Sequence, residues 1–111
     1  MLIYAETLEK ADIDISSSGD NTIISAPGAG KFIAIDFITF IPTSAVEVQL
    51  KDGSTDYGGP LPLDAKQALA WENTLNNDQG IITLSDDSAF VINLDAAVQV
   101  GGFVRYRIIN K

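Results

Sequence analysis

The chain has 111 residues, of which 46% are apolar and 20% charged, a composition that indicates a single globular domain with one hydrophobic core. It contains no cysteine and no histidine, which excludes disulfides, thiolate or imidazole metal ligands, cysteine nucleophiles and histidine general bases. Its net charge of −8 argues against nucleic-acid binding and favours an acidic, soluble surface.

The N-terminal segment, MLIYAETLEK, begins with a short apolar block. The block is too short for a secretory signal and has no basic start, and no apolar run in the chain reaches the length of a membrane span, so we expect no membrane partner. Residues 1–7 are predicted to form an arm that either frays or docks on a neighbouring molecule, and residues 8–111 to form the domain. The arm residues expected at an interface are Met1, Leu2, Ile3 and Tyr4.

Alternation of apolar and polar residues with a period of two predicts most of the strands. The alternating segments are ADIDI (11–15), AVEVQLK (45–51), AFVINL (89–94) and VRYRI (104–108). The segment LDAKQALAW (63–71) is the one helix-friendly window, and we expect at most one helical turn there. Turn-forming segments separate the strands, and Asp52-Gly53 in KDGS predicts a hairpin turn of type I′. The pattern predicts an all-β fold, a single antiparallel β-sandwich that is jelly-roll-like.

One predicted strand, FIAIDFITFI (32–41), is apolar on both faces. Strict alternation places Phe32, Ala34, Ile38 and Phe40 on one face, interrupted by Asp36. A sheet of an antiparallel sandwich normally exposes one face to water, so the second face is covered either by a loop of the same chain or by another subunit. We expect a subunit interface there, through Phe32, Ile38 and Phe40. Asp36 then needs a cationic partner, for which Arg105 and Arg107 are the candidates.

The segment SAPGAGKF (25–32) resembles a phosphate-binding loop only superficially. Such a loop requires glycine where Ser25 stands and a hydroxyl side chain where Phe32 stands, and it opens a helix. The apolar residues that follow predict a strand instead. We therefore expect a turn and no nucleotide or other cofactor.

Three pairs of carboxylates are candidates for a calcium site or an acid–base pair, namely Asp12 with Asp14, Asp52 with Asp56, and Asp86 with Asp87. None has the spacing of a calcium-binding loop, and all fall in predicted turns or on exposed strand faces. We expect solvated surface, no metal site and no catalytic residues, with a two-carboxylate glycosidase as the enzyme alternative. Trp71 and Tyr57 are candidates for stacking on a sugar ring, although a single Trp beside a loop is more often part of a core or an interface.

Three segments together resemble a small all-β module of tailed-phage structural proteins. They are TIISAPGAGKFIAIDFITF (22–40), AVEVQLKDGSTDYGGPLPL (45–63) and INLDAAVQVGGFVRYRI (92–108), and the resemblance covers residues 22–109. The chain departs from the module at Asp95, where small or hydroxyl residues are usual, and in AWENTLNNDQG (70–80).

The resemblance implies a virion protein, best matched by a capsid decoration or cement protein that is made in the host cytoplasm and sits as a homotrimer on the outer surface of the head. Its expected partners are copies of itself and the major capsid protein. The remaining residues expected at interfaces are Tyr57, Pro60, Leu61, Arg105 and Arg107. The alternative is a tail or fibre module that binds a host surface glycan.

Overall fold

A computed structural model describes residues 8–73 and 80–111, and within these ranges the chain forms ten strands and no helix. The strands are β1 (Glu9–Ile15), β2 (Gly19–Ile24), β3 (Lys31–Pro42), β4 (Val46–Asp52), β5 (Thr55–Asp56), β6 (Leu61–Leu63), β7 (Leu69–Glu72), β8 (Ile82–Thr83), β9 (Phe90–Leu94) and β10 (Val100–Asn110). Within the described ranges, no helix has the length and apolar character needed to cross a bilayer. The predicted arm, residues 1–7, lies outside them.

The strands form two antiparallel sheets that pack face to face, which confirms the predicted β-sandwich. The first sheet has the order β1-β10-β3-β7, with β8 also paired to β3. The second has the order β2-β9-β4-β5, with β6 also paired to β4. One hydrophobic core fills the space between the sheets, and it draws on both of them.

Alternation correctly predicted which residues enter this core from the regular strands. In β4 the buried residues are Val46, Val48 and Leu50, and in β9 the alternate residues Phe90, Ile92 and Leu94 are at most 1% exposed. Because successive side chains of a strand point to opposite faces, alternation alone separates the inward residues of each of these strands from the outward ones.

In the long strand β3, the alternation of inward and outward side chains is interrupted by a β-bulge. Arg105 of β10 pairs with Phe37 while its neighbour Tyr106 pairs with Ile35, so Asp36 is an extra residue in β3. An extra residue reverses the faces of everything that follows it. Ile38 and Phe40 consequently enter the core.

The prediction that Ile38 and Phe40 form an exposed interface with Phe32 is therefore wrong. Ile38 is 0% exposed and Phe40 is 1% exposed, both within the sandwich of their own chain. Phe32 is half-buried and pairs with Ile109 at the far end of β3. The outward positions beyond the bulge belong to Phe37, Thr39 and Ile41.

The segment before β3 is a turn, as predicted. The amide of Lys31 donates to the carbonyl of Gly28 over 3.2 Å, both Gly28 and Gly30 have positive φ, and β3 begins at Lys31. A carboxylate oxygen of Asp87 accepts from the amide of Gly28 over 2.9 Å. The loop therefore leads into a strand, and the amide of Gly28 is already hydrogen-bonded to Asp87 of the same chain.

The predicted type of the hairpin turn needs correction. In the β4–β5 hairpin Asp52 pairs with Thr55, so the central residues are Gly53 and Ser54, and Gly53 alone has positive φ (63°). This is the pattern of a type II′ turn rather than type I′. In residues 63–71, for which the sequence predicts at most one helical turn, the amide of Gln67 donates to the carbonyl of Asp64 in a single turn, and the chain then enters strand β7.

Candidate functional site

The outward surface of the first sheet, called here the outer face, is defined by the pairing register beyond the bulge. Directly paired residues share a face, so each row across β1, β10, β3 and β7 can be read from the register. The rows are Asp14, Gly101, Ile41; then Asp12, Phe103, Thr39, Ala70; and then Lys10, Arg105, Phe37, Glu72.

The centre of the outer face is apolar. Phe37 and Phe103 make a tilted ring contact with their centroids 5.5 Å apart. Phe103 is 36% exposed and Ile41 is 42% exposed, and both are among the most exposed large apolar side chains that the structure describes. We call Phe37, Ile41 and Phe103 the apolar stripe. It lies on the two central strands, where a solvated sheet normally carries polar side chains.

Charged side chains border the apolar stripe. On β1, the ammonium of Lys10 lies 2.8 Å from a carboxylate oxygen of Asp12, and both side chains are more than half exposed. Asp14 accepts a hydrogen bond from the amide of Gln99 over 2.7 Å. The opposite edge, β7, carries the exposed Glu72. An apolar centre with a charged border is the usual anatomy of a protein–protein contact surface.

Beside the bulge, the first sheet holds a buried ion pair. Arg107 is 2% exposed, and it donates from Nε to Oδ2 of Asp36 over 2.7 Å and from Nη2 to Oδ1 over 3.0 Å. The side-chain amide of Asn73 donates to the same Oδ1 over 3.1 Å. The predicted need of Asp36 for an arginine partner is confirmed, with Arg107 in that role. Arg107 does not present its side chain to a neighbouring molecule, contrary to the prediction that it pairs across an interface.

Arg105 differs from Arg107 because it lies on the outer face, in the row with Phe37. Its Nε is buried and has no hydrogen-bond acceptor in the part of the chain that the structure describes. Its predicted place at an interface stays a prediction.

The outward surface of the second sheet is polar. Asp20 of β2 accepts a hydrogen bond from the side-chain amide of Asn93 over 2.7 Å and lies 3.2 Å from the ammonium of Lys51. These bonds, first that from Asn93 and then that from Lys51, lower the pKa of Asp20 below its ordinary value of 3.8. The two outward surfaces of the sandwich therefore differ in kind: one has a polar hydrogen-bonded network and the other an apolar stripe.

The predicted interface residues of the 57–61 loop lie beside the second sheet. Tyr57 and Leu61 are half-buried and pack against the core, while Pro60 is exposed. The side-chain amide of Gln49 donates to the carbonyls of Leu50, over 2.9 Å, and of Gly58, over 3.1 Å, which holds the loop against β4. The role of this loop at an interface stays a prediction, and Met1, Leu2, Ile3 and Tyr4 lie outside the described residues.

The two aromatic residues proposed for sugar stacking sit on different sheets. Trp71 is on the edge strand β7 of the first sheet and is 40% exposed, whereas Tyr57 follows β5 of the second sheet. In the described ranges, Phe37 with Phe103 is the one contact between aromatic rings. Glycan binding stays a prediction that a glycan array can test.

Several of the paired carboxylates make local structural hydrogen bonds. Asp52 accepts from the amide and the hydroxyl of Ser85, over 3.0 and 2.7 Å, and Asp87 holds the turn before β3. Residues 8–73 and 80–111 contain no group of three acidic side chains arranged to hold a metal ion. A shallow groove of about 330 Å³ is lined by Ala45, Val46, Glu47, Pro62, Leu63, Asp64 and Asp95.

Comparison of the chain with protein-family models, with curated proteins and with solved structures gave no match.

The sequence contained a signal for the apolar stripe that reasoning from alternation did not use. In the alternating segment VRYRI (104–108), Val104 and Arg105 lie on opposite faces, and the same alternation places Phe103 on the face of Arg105. Phe37 and Ile41 were hidden by a different cause, because their outward direction depends on the bulge at Asp36. Asp36 is the one charged residue in the apolar segment 32–41, and it is also the extra residue of the bulge.

Proposed function

We propose that this protein is a structural component of a virus particle, a capsid decoration protein whose copies associate with one another and with capsid subunits. The observation that carries the proposal is the contrast between the two outward surfaces of the sandwich. On the second sheet Asp20 is bonded to Asn93 and Lys51, whereas the first sheet exposes Ile41 and Phe103 beside Phe37. We propose a binding role without catalysis and without a cofactor.

The apolar stripe supports self-association on energetic grounds. Burial of apolar surface contributes about 25 cal/mol per Å², and aromatic pairs contribute somewhat more than their area. Phe37, Ile41 and Phe103 form a surface smaller than the roughly 800 Å² that each partner buries in a standard stable interface. The contribution of each contact is therefore modest, which suits a protein that acts in many copies.

The strand order supports the jelly-roll type, and we propose that the sandwich belongs to it. β5 and β6 both lie along β4, and β7 and β8 both lie along β3, so each pair is one interrupted edge strand. Counted this way, the chain has eight strands, four in each sheet. Double-sheet jelly rolls recur in viral capsid proteins. A fold does not fix a function, so the topology adds to the resemblance without replacing it.

The proposed mechanism is mechanical and additive. A copy that binds the closed shell and not the open shell stabilises the closed shell by mass action. Copies that also bind one another hold their neighbours close to the surface, which raises the effective concentration of every further contact. Many weak contacts of the kind that the apolar stripe provides then resist expansion of the shell together.

Imaging of the assembled particle tests this function. We expect a cryo-EM reconstruction of particles produced from the genome that encodes the chain to place its copies on the outer surface of the head. Heads assembled without the gene should lack that density and should open at a lower temperature than complete heads. Addition of the purified protein should restore both the density and the opening temperature. Copies found only on the tail, or on no particle, would contradict the proposal.

A further inference from the structure

We propose that the free edge of strand β1 binds an extended segment of another protein, which adds to the first sheet as a further strand. The segment that fits this edge alternates apolar residues with lysine or arginine. The inference goes beyond the proposed function, because the site and the class of its ligand are defined whether or not the protein resides on a virus particle. It follows from the protection of the sheet edges, the backbone of β1 and the charges on that strand.

The edges of the two sheets differ in how well they are protected against further pairing. Two of them consist of short pieces, β5 and β6 along β4 and β7 and β8 along β3, none longer than four residues. A third edge, β2, has an irregular register with β9 between Thr22 and Ile24. Short and bulged edges are usual means by which proteins prevent strand addition. β1 has neither protection, since its seven residues pair with β10 in one uninterrupted register.

The backbone of β1 offers hydrogen-bonding groups on its free side. In the described ranges β1 pairs with β10 alone, and no backbone bond outside the strands involves residues 9–15. Because the amide and carbonyl groups of a strand point alternately to its two sides, those of β1 that point away from β10 are open to a partner. An added strand supplies the matching donors and acceptors, as in peptide recognition by strand addition.

The side chains of β1 define what the added strand carries. On the inward side, Ala11 and Ile15 are half-buried at the margin of the core. The neighbouring inward side chains of an added strand cover them, so apolar residues suit those positions. On the outer face, Asp12 and Asp14 are exposed, and Asp12 lies 2.8 Å from the ammonium of Lys10. Lysine or arginine suits the positions beside these carboxylates, since opposite charges across a strand pair attract.

The same charges favour a basic partner over a second copy of this chain. β1 carries three carboxylates and one ammonium, so its pairing with the β1 strand of another copy would bring two acidic strands together. The net charge of −8 also repels a second copy at long range and attracts a basic segment.

Titration with synthetic peptides tests the site. The probe is a peptide of the length of β1 in which lysine and valine alternate, added to the isotope-labelled full chain and followed by NMR. We expect the signals of residues 9–15 to shift. The β1 amides that point away from β10 should exchange more slowly with solvent, because they become hydrogen-bonded. A peptide that alternates glutamate and valine should bind at least about tenfold more weakly, since it meets like charge.

Two controls separate strand addition from general attraction between opposite charges. A lysine–valine peptide methylated on its backbone nitrogens keeps its charge but cannot donate to β1, and we expect no binding. In the protein, Asp12→Asn with Asp14→Asn should weaken binding of the unmethylated peptide at least about tenfold. The matched variant, Asp56→Asn with Asp86→Asn, removes the same charge from exposed positions outside β1 and should change binding by less than about twofold. A thermal melt of each variant checks that it folds.

A lysine–valine peptide that does not bind, a methylated peptide that binds equally well, or equal effects of the two double variants would each overturn the inference. Slow exchange of the same amides in the absence of peptide, appearing only at concentrations where the chain self-associates, would assign the edge to a second copy and would also overturn it. Binding of the purified protein to heads tests the proposed function separately, so failure of the peptides leaves that proposal standing.

Discussion

Asp36 and Arg107 are the residues whose individual chemistry shapes this molecule most. Arg107 is buried, and two hydrogen bonds join its guanidinium to the carboxylate of Asp36. A buried ion pair is weak support for stability as a whole, since desolvation of both charges offsets their attraction. Removal of one partner is costly nevertheless, because it leaves the other charge in an environment that disfavours it.

We expect Asp36→Asn to lower the free energy of unfolding by about 3 kcal/mol, since the neutral amide cannot balance the charge of Arg107. The matched control is Asp12→Asn, which breaks the exposed ion pair with Lys10 and should cost less than about 1 kcal/mol. Urea denaturation followed by tryptophan fluorescence measures both. Equal losses in the two variants would show that burial of the Asp36–Arg107 pair has no energetic consequence.

The lowered pKa of Asp20, another property of a single residue, predicts that the stability of the protein depends on pH. The pKa of Asp20 in the folded protein is lowered chiefly by the hydrogen bond from Asn93. A group with a lowered folded pKa contributes stability that is fully present above its unfolded pKa and is lost as the pH falls through the folded pKa.

We therefore expect Asn93→Ala to be less stable than the unmodified chain near neutral pH. The difference between the two should shrink as the pH falls through the ordinary range of an aspartate carboxyl and then through the lowered pKa of Asp20, below which the group is protonated in both. Thermal melts across that range measure it, and Thr22→Ala on the same outward surface serves as a control. A difference that stays constant down to the lowest pH would contradict the role assigned to the charge of Asp20.

At the scale of elements, the bulge in β3 determines what the first sheet exposes. Without the extra residue at Asp36, Ile38 and Phe40 would keep the outward phase of Phe32, and Phe37 and Ile41 would face the core. The bulge thus selects which apolar residues make the core and which make the apolar stripe.

The close approach of β10 to β3 next to the apolar stripe can be tested with two adjacent glycines. A Cβ atom at Gly102 would collide with the backbone of Thr39 and come within 2.6 Å of the Cα of Phe40, whereas one at Gly101 would meet nothing nearer than 4.0 Å. We expect Gly102→Ala to lower the free energy of unfolding by at least about 2 kcal/mol. Gly101→Ala should change it by less than about 1 kcal/mol. Chemical denaturation of the pair measures the contrast, and similar values would argue against the observed packing of these strands.

The local alternation of apolar and polar residues was sufficient to predict the regular strands, but it was not sufficient to predict the bulge. The residues of β4 and β9 alternate in one phase, so their inward sets could be predicted from the sequence. The reversal at Asp36 could not be, because it depends on how β3 pairs with β10, a strand that lies about 70 residues later in the chain. Tertiary pairing also overrode local propensity in Leu69–Glu72, which forms a strand against β3 in a window that favoured a helical turn.

At the scale of the whole molecule, the sandwich has one outward surface suited to water and one suited to another protein. The network of Asp20, Lys51 and Asn93 joins polar side chains on the second sheet, while Ile41 and Phe103 are exposed beside the half-buried Phe37 on the first. A small domain of this kind gains by association, because contact with another copy removes the exposed rings from water. The proposed self-association and the proposed binding to heads would both follow from this difference between the two outward surfaces.

The most direct test of this account is the molecular mass of the purified chain in solution, measured by light scattering over a range of concentrations, beside that of Phe103→Ser. Loss of an exposed ring from the centre of the outer face should leave the sandwich folded and reduce its self-association at least about tenfold, since such central aromatic residues dominate interface energies. We expect an oligomer for the unmodified chain, a monomer for Phe103→Ser, and no change for Thr22→Ala. An unmodified chain that is monomeric at every concentration, or a Phe103→Ser variant that associates as well as its parent, would contradict the account.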